Sequence, residues 1–367
     1  VEPLNYSRNA ATLAALTSVE GRFAFVSESS NVRWLTGFTG STSRAVVDLA
    51  TAQVHLFVDP RYVERAAEQA MRVLAPVEVH VVTRGQSMAS SVASVIVGAE
   101  MLVDPNSLVV SEWDQLSAEC SVVKKTIPFA EARRVKSVAE ISRIELASQI
   151  ADAALLRVVD SGLVGISEVQ IARQLDTAVR ELGADDISFD TIVASGPNGS
   201  RPHHEPSDRV VSEGDAVVID MGALVEGYHS DTTRTIRVGK WNPELAAMYQ
   251  LVREAQQAGL AAVRPGVTGR EIDEAVRQVY RSAGVEHEYI HGTGHGVGLD
   301  IHEFPILSPA CEVPLVEGEV VTVEPGLYRG GVGGIRVEDL VVVTGHGCRP
   351  LTHTSKDLSC PPSPPTI

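Results

Sequence analysis

Two stretches in the second half of the 367-residue chain repeat one pattern, Gly165-Ile-Ser-Glu-Val-Gln-Ile171 and Gly266-Val-Thr-Gly-Arg-Glu-Ile272. Each puts a hydroxyl residue, Ser167 or Thr268, where a helix N-cap belongs, because its side-chain oxygen can take an orphan N–H of the first turn. Each then runs on as an amphipathic helix and stops at a glycine at the same offset, Gly183 and Gly284. A long helical pattern precedes each copy, near 138–159 and near 243–263, and a β-rich segment follows each. Two copies are too few for a solenoid, so the pattern predicts a closed two-lobed α+β domain with an internal pseudo-twofold repeat.

The β-rich segments carry acids in apolar strands. In the first copy, Ala216-Val-Val-Ile-Asp-Met221 goes out with Asp220, turns through Gly222 to Gly227, and returns as Ser230–Val238 with Asp231. In the second, Val320–Glu324 goes out, Gly330–Gly334 turns, and Ile335–Val343 returns, so Glu324 and Glu338 take the places of the two aspartates. Directly opposed residues of a hairpin have Cβ atoms roughly 4.5–5.5 Å apart. Two buried carboxylates that close cannot both stay ionised unaided; a shared proton or a divalent cation resolves the conflict. The other option is that the acids end their strands in solvent.

The stretch His291-Gly-Thr-Gly-His-Gly-Val-Gly-Leu-Asp-Ile-His302 holds three of the eleven histidines and four glycines. Glycine at this density implies that something approaches the backbone closely. Imidazoles held there suit a metal or a polarised carbonyl. A flexible loop or a dinucleotide loop are the other readings, although no βαβ opening surrounds the stretch. Four acids plus a histidine match a pair of divalent metals better than one, and oxygen-rich ligands with a single imidazole favour Mn(II), Co(II) or Zn(II).

The length fits two domains. Ahead of the repeat, 23–26, 45–48, 55–58, 77–82 and 101–103 read as strands and 61–71 and 85–97 as helices, an α/β domain. Asn31–Gly40 reads as an aromatic, glycine-bearing loop, either a packed turn or a substrate contact. The organisation expected is residues 1–130, residues 131–359 and a Pro-rich tail, 360–367. The net charge of −16 argues against nucleic acid and anionic membrane as partners. No apolar run is long enough to span a bilayer, and the first residues show no basic-then-apolar leader. Scattered Cys120, Cys311, Cys348 and Cys360 read as reduced thiols of a cytoplasmic protein, though Cys348 and Cys360 could pair in an oxidising setting.

Asp220, Asp231, His295, Glu324 and Glu338, in that order, resemble the two-metal site of the pita-bread metallopeptidases: methionine aminopeptidase, aminopeptidase P and prolidase. The resemblance rests on Val218-Ile-Asp-Met-Gly222, Ser230-Asp-Thr-Thr-Arg-Thr235, Gly292–Glu303, Val323-Glu-Pro-Gly-Leu-Tyr328 and Gly334-Ile-Arg-Val-Glu-Asp339. Asn31–Phe38 and Asp59-Pro-Arg-Tyr62 resemble the creatinase-type N-terminal domain of aminopeptidase P and prolidase. Creatinase itself shares the fold but not the metal ligands.

The resemblance implies that Asp231 and Glu338 bridge two divalent ions, that Asp220 completes one, and that His295 and Glu324 complete the other. Mn(II) is the ion expected, with Co(II) or Zn(II) as alternatives. Two such ions, roughly 3.5–4 Å apart, can activate a shared water. Glu324 would shuttle its proton, His302 would stabilise the tetrahedral intermediate, and His203 and His291 would face the substrate. Arg336 and Thr233, each two residues from a bridging ligand, suit supporting roles around the metals. His204, His229 and the remaining histidines carry no such assignment and are expected on the surface.

The activity implied is cleavage of Xaa-Pro bonds in proline-containing peptides, by a homodimer. A dipeptidase must bind the free carboxylate of proline, a task for arginine. Many prolidases of this architecture have one just after His-Glu-x-Pro; here His302-Glu-Phe-Pro305 is followed by Ile306, and an arginine such as Arg201 or Arg33 would have to reach in from another loop. The reading is therefore an Xaa-Pro aminopeptidase, with an Xaa-Pro dipeptidase as the rival and an inactive peptide-binding homologue as the third option.

Overall fold

Short runs of β-branched and aromatic residues build the first of two units, Pro3–Arg133; the second begins at Arg134. The structure is a computed structural model that describes residues 3–17, 22–72 and 77–360. Strands β1 (Phe23–Val26), β2 (Ser43–Asp48), β3 (Gln53–Val58), β4 (Val77–Val81), β5 (Glu100–Val103) and β6 (Ser121–Lys124) form a sheet in the order β4-β3-β2-β1-β5-β6. It is mixed: β1–β2 and β2–β3 pair antiparallel, the other neighbours parallel. Helices are α1 (Tyr6–Leu16), α2 (Ser29–Thr36), α3 (Val63–Arg72), α4 (Met88–Ile96), α5 (Val110–Glu119) and α6 (Phe129–Arg134). One face of the sheet, through Phe25, Val46, Phe57 and Met101, packs on Ala89, Val92 and Ile96 of α4 and Leu116 of α5.

The segment 31–40 is not a loop. Its first half lies in α2, where Val32 and Leu35, one helical turn apart, are buried. Gly37 ends the helix at φ 71°, its N–H bonding to the Arg33 carbonyl at 2.7 Å. That left-handed stop is a common helix signal that the aromatic residues obscured. The sequence patterns also do not single out helices α1, α5 and α6 or strand β6.

In the second unit the repeat is explicit. Helices α7 (Val138–Asp160) and α8 (Glu168–Glu181) begin the first copy; α9 (Pro243–Ala262) and α10 (Gly269–Ser282) begin the second. Ser167 and Thr268 each close a capping box. The backbone N–H of Gln170 and Glu271 bonds back to the cap hydroxyl, and the side chain of each accepts the cap's own N–H at 3.1 and 2.8 Å. Gly183 and Gly284 follow the helix ends at φ 101° and 74°.

After α8 come β7 (Asp186–Ile187), β8 (Ile192–Ser195), β9 (Ala216–Met221), β10 (Ala223–Val225), β11 (Tyr228–His229) and β12 (Thr232–Val238). After α10 come β13 (Gly294–Gly296), β14 (Glu303–Leu307), β15 (Val320–Val323), β16 (Gly326–Arg329), β17 (Gly333–Arg336), β18 (Asp339–Thr344), β19 (Gly347–Pro350) and β20 (Ser359–Cys360). The principal sheets run β20-β12-β9-β8 and β14-β13-β15-β18-β19. Leu155, Leu175, Val217 and Ile236 centre the core of the first lobe; Ile272, Val321 and Val341 centre that of the second.

The ligand-bearing strands are not joined by simple turns. A small hairpin, β10–β11, intervenes between β9 and β12, and β16–β17 intervenes between β15 and β18. Glu226 and Gly227, both at positive φ, form the two-residue turn of the first. Register also differs from the simple expectation. Asp220 lies opposite Thr233, so Asp231 is offset by two residues rather than facing it. The β15–β18 ladder ends at Val323 opposite Asp339, which makes Glu324 and Glu338 the next pair in register. The two copies are therefore not superimposable residue for residue at their acids.

Cys360 belongs to β20, which pairs parallel with β12; residues 361–367 of the expected tail lie outside the described residues. All four cysteines are free, so the Cys348–Cys360 pairing is not made. Among the described residues, no helix is long and apolar enough to cross a membrane.

The two capping boxes give a direct test of the repeat. Ser167→Ala and Thr268→Ala should each destabilise the protein by roughly 1 kcal/mol. The urea midpoint should fall with an unchanged slope; no shift in either variant would mean the caps do not set the helix starts.

Candidate metal centre

Apolar strands carry the acids inward. Asp220 sits within β9, Asp231 just before β12, Glu324 just after β15 and Glu338 just before β18. Asp231 and Glu338 are buried. One oxygen each of Asp220, Asp231 and Glu338 lies within 4.8 Å of the others. His295, on β13, brings Nε2 to 3.5 Å from Asp231 and 3.4 Å from Glu324. Five residues distant in sequence thus form two overlapping groups that share Asp231.

The glycines beside His295 are there for space. A Cβ on Gly294 would sit 2.1 Å from the Thr322 carbonyl oxygen, and one on Gly296 2.7 Å from that of Phe304. The His295 ring is also fixed in tautomer. Its Nδ1 lies 3.0 Å from the Gly296 carbonyl, which can only accept, so Nδ1 carries the proton and Nε2 presents a lone pair to the acids.

As bare carboxylates these groups are unstable together. Burial, then the neighbouring charges of Glu338 and Asp220, raise Asp231 well above the usual carboxylate range. Burial, with Glu324 and Asp220, does the same to Glu338. Burial pushes Glu324 up to about 7 even though Arg336 opposes it. Among the described residues, Asp220 Oδ1 and Glu338 Oε1 are buried with no hydrogen-bond partner. Orphaned buried oxygens are rare because each forfeits its hydration. Two of them aimed into a cluster with one imidazole lone pair fit divalent cations.

Three of the other carboxylate oxygens are held by neighbours. Thr233 donates to Glu338 at 2.8 Å, Arg336 to Asp220 at 2.6 Å and to Thr233 at 3.1 Å. Thr322 donates to Glu324 at 3.1 Å and takes the His295 N–H at 3.0 Å. Thr322 and Tyr328 were missed in the sequence. The signal for Thr322 was present: it precedes Glu324 by two on one strand, the spacing that singled out Thr233.

His203, His291 and His302 line a cavity of about 430 Å³ that opens onto Asp220, Asp231, His295 and Glu324, with Phe189, Ile192, Ile301 and Ile306 as apolar walls. The His302 ring meets His295 edge-on at 4.4 Å between centroids. Burial, with His295 beside it, lowers the His302 pKa. His291 has both ring nitrogens engaged: Nδ1 donates to the Gly292 carbonyl at 2.8 Å and Nε2 accepts from the Tyr328 hydroxyl at 2.9 Å. Burial takes its pKa down to about 4, so it is neutral. Arg336 is the arginine of the lining, and it is tied to Asp220. Arg201 bonds Asn198 instead of lining the cavity, and Arg33 belongs to the first unit.

His204 is not on the surface, and His229 is half-buried. His229 is bonded to Ser188 at 2.9 Å. His204 is buried, with Nε2 2.8 Å from the fully buried carboxylate of Glu168. Glu168 also accepts from the N–H and hydroxyl of Ser195, the N–H and hydroxyl of Ser207, and the Asn198 amide. Although burial pulls the other way, these bonds hold its pKa down at about 2. Glu168 thereby ties both ends of the segment that presents His203. In the sequence it reads only as the first residue of a helix.

Residues 142–345 match the description Metallopeptidase family M24, and residues 9–135 match Creatinase/Prolidase N-terminal domain. The uncharacterized peptidase YqhT of Bacillus subtilis is 38% identical over 340 residues, covering 91% of this chain and 94% of the relative. The solved Xaa-Pro dipeptidase from Bacillus anthracis superposes with a TM-score of 0.90 at 32% identity, over 97% of this chain and 99% of its own. The X-Pro aminopeptidase from Thermotoga maritima does so with a TM-score of 0.85 at 30% identity, over 93% of this chain and 98% of its own.

The depressed pKa of Glu168 has a signed consequence. A carboxylate whose folded pKa is lowered contributes stability that is complete above its unfolded pKa and is lost as pH falls through the folded one. In metal-free protein, Glu168→Gln should cost about 3 kcal/mol near neutral pH. The gap to wild type should narrow as pH falls from about 4.5 toward 2. Urea midpoints across that range read the gap; one that stays constant with pH would exclude an ionised Glu168 as the anchor.

Proposed function

The chain belongs to metallopeptidase family M24, with a creatinase/prolidase N-terminal domain ahead of a pita-bread unit, and from that premise we propose that it is a dinuclear-metal Xaa-Pro aminopeptidase. The observation that carries the proposal is the buried five-ligand cluster with its two orphaned carboxylate oxygens opening onto a cavity lined by histidines. Asp220 would hold one ion and His295 and Glu324 the other, with Asp231 and Glu338 shared. The oxygen-rich set favours Mn(II), with Co(II) and Zn(II) as alternatives. When bound, the ions supply Lewis acidity, which lowers the pKa of water and polarises a peptide carbonyl.

The protein's own groups do the rest. The Glu324 carboxylate takes the proton of the attacking water and passes it to the departing proline nitrogen. His302 would donate to the oxyanion that develops on the scissile carbonyl. His203, on the segment anchored by Glu168, faces the substrate. Neutral His291 holds the Tyr328 hydroxyl, which accepts from Arg336 at 3.0 Å and so steadies the arginine that positions Asp220. Phe189, Ile192 and Ile301 offer an apolar wall for a ring that has no N–H to satisfy.

Ile306 supports an aminopeptidase. It lines the cavity, and burying a free carboxylate against it is costly. The rival reading, an Xaa-Pro dipeptidase, draws on the Bacillus anthracis likeness. Free cysteines accord with a cytoplasmic setting. A homodimer is proposed from the family resemblance, and light scattering of the purified protein reads it.

Two measurements test the proposal. Xaa-Pro-Xaa peptides should be cleaved with higher kcat/KM than Xaa-Pro dipeptides under one Mn(II) condition; a clear dipeptide preference reverses the assignment. Elemental analysis should find two Mn(II) ions per chain after loading with Mn(II), and Asp231→Asn should lose both together with activity. Full metal content in that variant would remove Asp231 from the bridging role.

A further inference from the structure

We propose that His55, Glu78 and His80, at the edge of the sheet in the first unit, form a second kind of metal site, one for a Zn(II)-class ion. The inference does not depend on the reading of the catalytic centre. Strand β4 is the edge strand and pairs parallel with β3, in a register that sets His55 opposite Glu78 and Phe57 opposite His80. Side chains alternate along a strand, so His55, Phe57, Glu78 and His80 share one face. Phe57 is fully buried in the core, and the His80 ring stacks on it with centroids 4.9 Å apart and planes 20° apart. The stack fixes where His80 points.

It points at His55. Nδ1 of His55 lies 3.0 Å from Nε2 of His80 and 3.4 Å from Oε2 of Glu78, and Nε2 of His80 lies 3.7 Å from Oε1 of Glu78. These atoms form a compact triangle of two nitrogens and a carboxylate. Zinc binds such ligands tetrahedrally at about 2.0–2.1 Å, which sets neighbouring ligand atoms roughly 3.3–3.4 Å apart. The observed edges bracket that value. Without an ion, two ring nitrogens that face each other can share only one proton. A divalent ion takes the place of the shared proton, which moves to the other nitrogen of the ring that carried it, and both facing lone pairs then coordinate together with the carboxylate.

The donor set distinguishes this site from the cluster in the second unit. Two imidazoles and one carboxylate favour Zn(II) over Mn(II), whereas four carboxylates and one imidazole do not. The site is also accessible, since the Glu78 side chain is 59% exposed and can swing to meet an ion.

The test uses the full chain, stripped by chelator and titrated with Zn(II) against a chromophoric competitor. Wild type should bind one more equivalent than His80→Gln, while both cleave an Xaa-Pro peptide equally well once loaded with Mn(II). Glu78→Gln should weaken that extra equivalent by at least roughly tenfold, since even outer partners of metal ligands are worth 10–100-fold. Glu78 is exposed, so this variant decides the matter if His80→Gln fails to fold. Equal stoichiometry and affinity in wild type and Glu78→Gln would mean a hydrogen-bonded histidine pair only, and would overturn the proposal.

Discussion

Asp220, Asp231 and Glu338, with one oxygen each within 4.8 Å of the others, repel one another and Glu324 beside them, and the second unit is built to contain that repulsion. The acids ride on the ends of apolar strands whose inner residues are fully buried, so the strands cannot rotate them into water. Arg336 meets part of the negative charge through Asp220, and Thr233 and Thr322 each take one oxygen. What these neighbours leave over, one oxygen of Asp220 and one of Glu338, is a demand for external positive charge. A purely structural core has no use for such a demand; replacing buried ions with apolar residues is often neutral or stabilising. The arrangement makes sense as a cradle whose stability is completed by what it binds.

Much of this could be read in the linear chain because the governing signals are local. A hydroxyl cap, an amphipathic run and a stop glycine recur at matching offsets, so the pseudo-twofold was visible without coordinates. The acids were visible because a carboxylate inside an apolar strand is anomalous by itself. What escaped was set by long-range pairing. The two-residue offset between Asp220 and Asp231 follows from where β10–β11 branches away, which no spacing rule encodes. His204 is polar and close to His203, so it reads as surface. Only the fold brings Glu168, at the start of α8, beneath it. Helix α2 is masked in the sequence by the aromatic residues Trp34 and Phe38 around its end, although Gly37 marks that end.

Glu168 and the glycines around His295 show two ways of fixing a functional side chain. Glu168 works by attraction, gathering donors from Ser195, Asn198 and Ser207 until the segment between them has little freedom. Gly294 works by absence: with no side chain, β13 can approach β15 more closely than any Cβ would allow, and the imidazole is carried in by the backbone itself. Gly294 thus fixes position through the main chain, and Glu168 through one buried side chain that takes both backbone and side-chain donors.

The hairpins interposed between the ligand-bearing strands have a further consequence. Asp220 and Asp231 are neighbours through the β9–β12 ladder, while the residues that separate them in sequence leave as β10, reverse at Glu226-Gly227 and come back as β11. Contour length at that tip is thus uncoupled from the geometry of the acids. Lengthening such a turn costs little, about 0.6 kcal/mol for each doubling of the loop. A chain of this architecture could grow at the tip of either hairpin, acquiring new surface beyond the cluster, without moving a carboxylate.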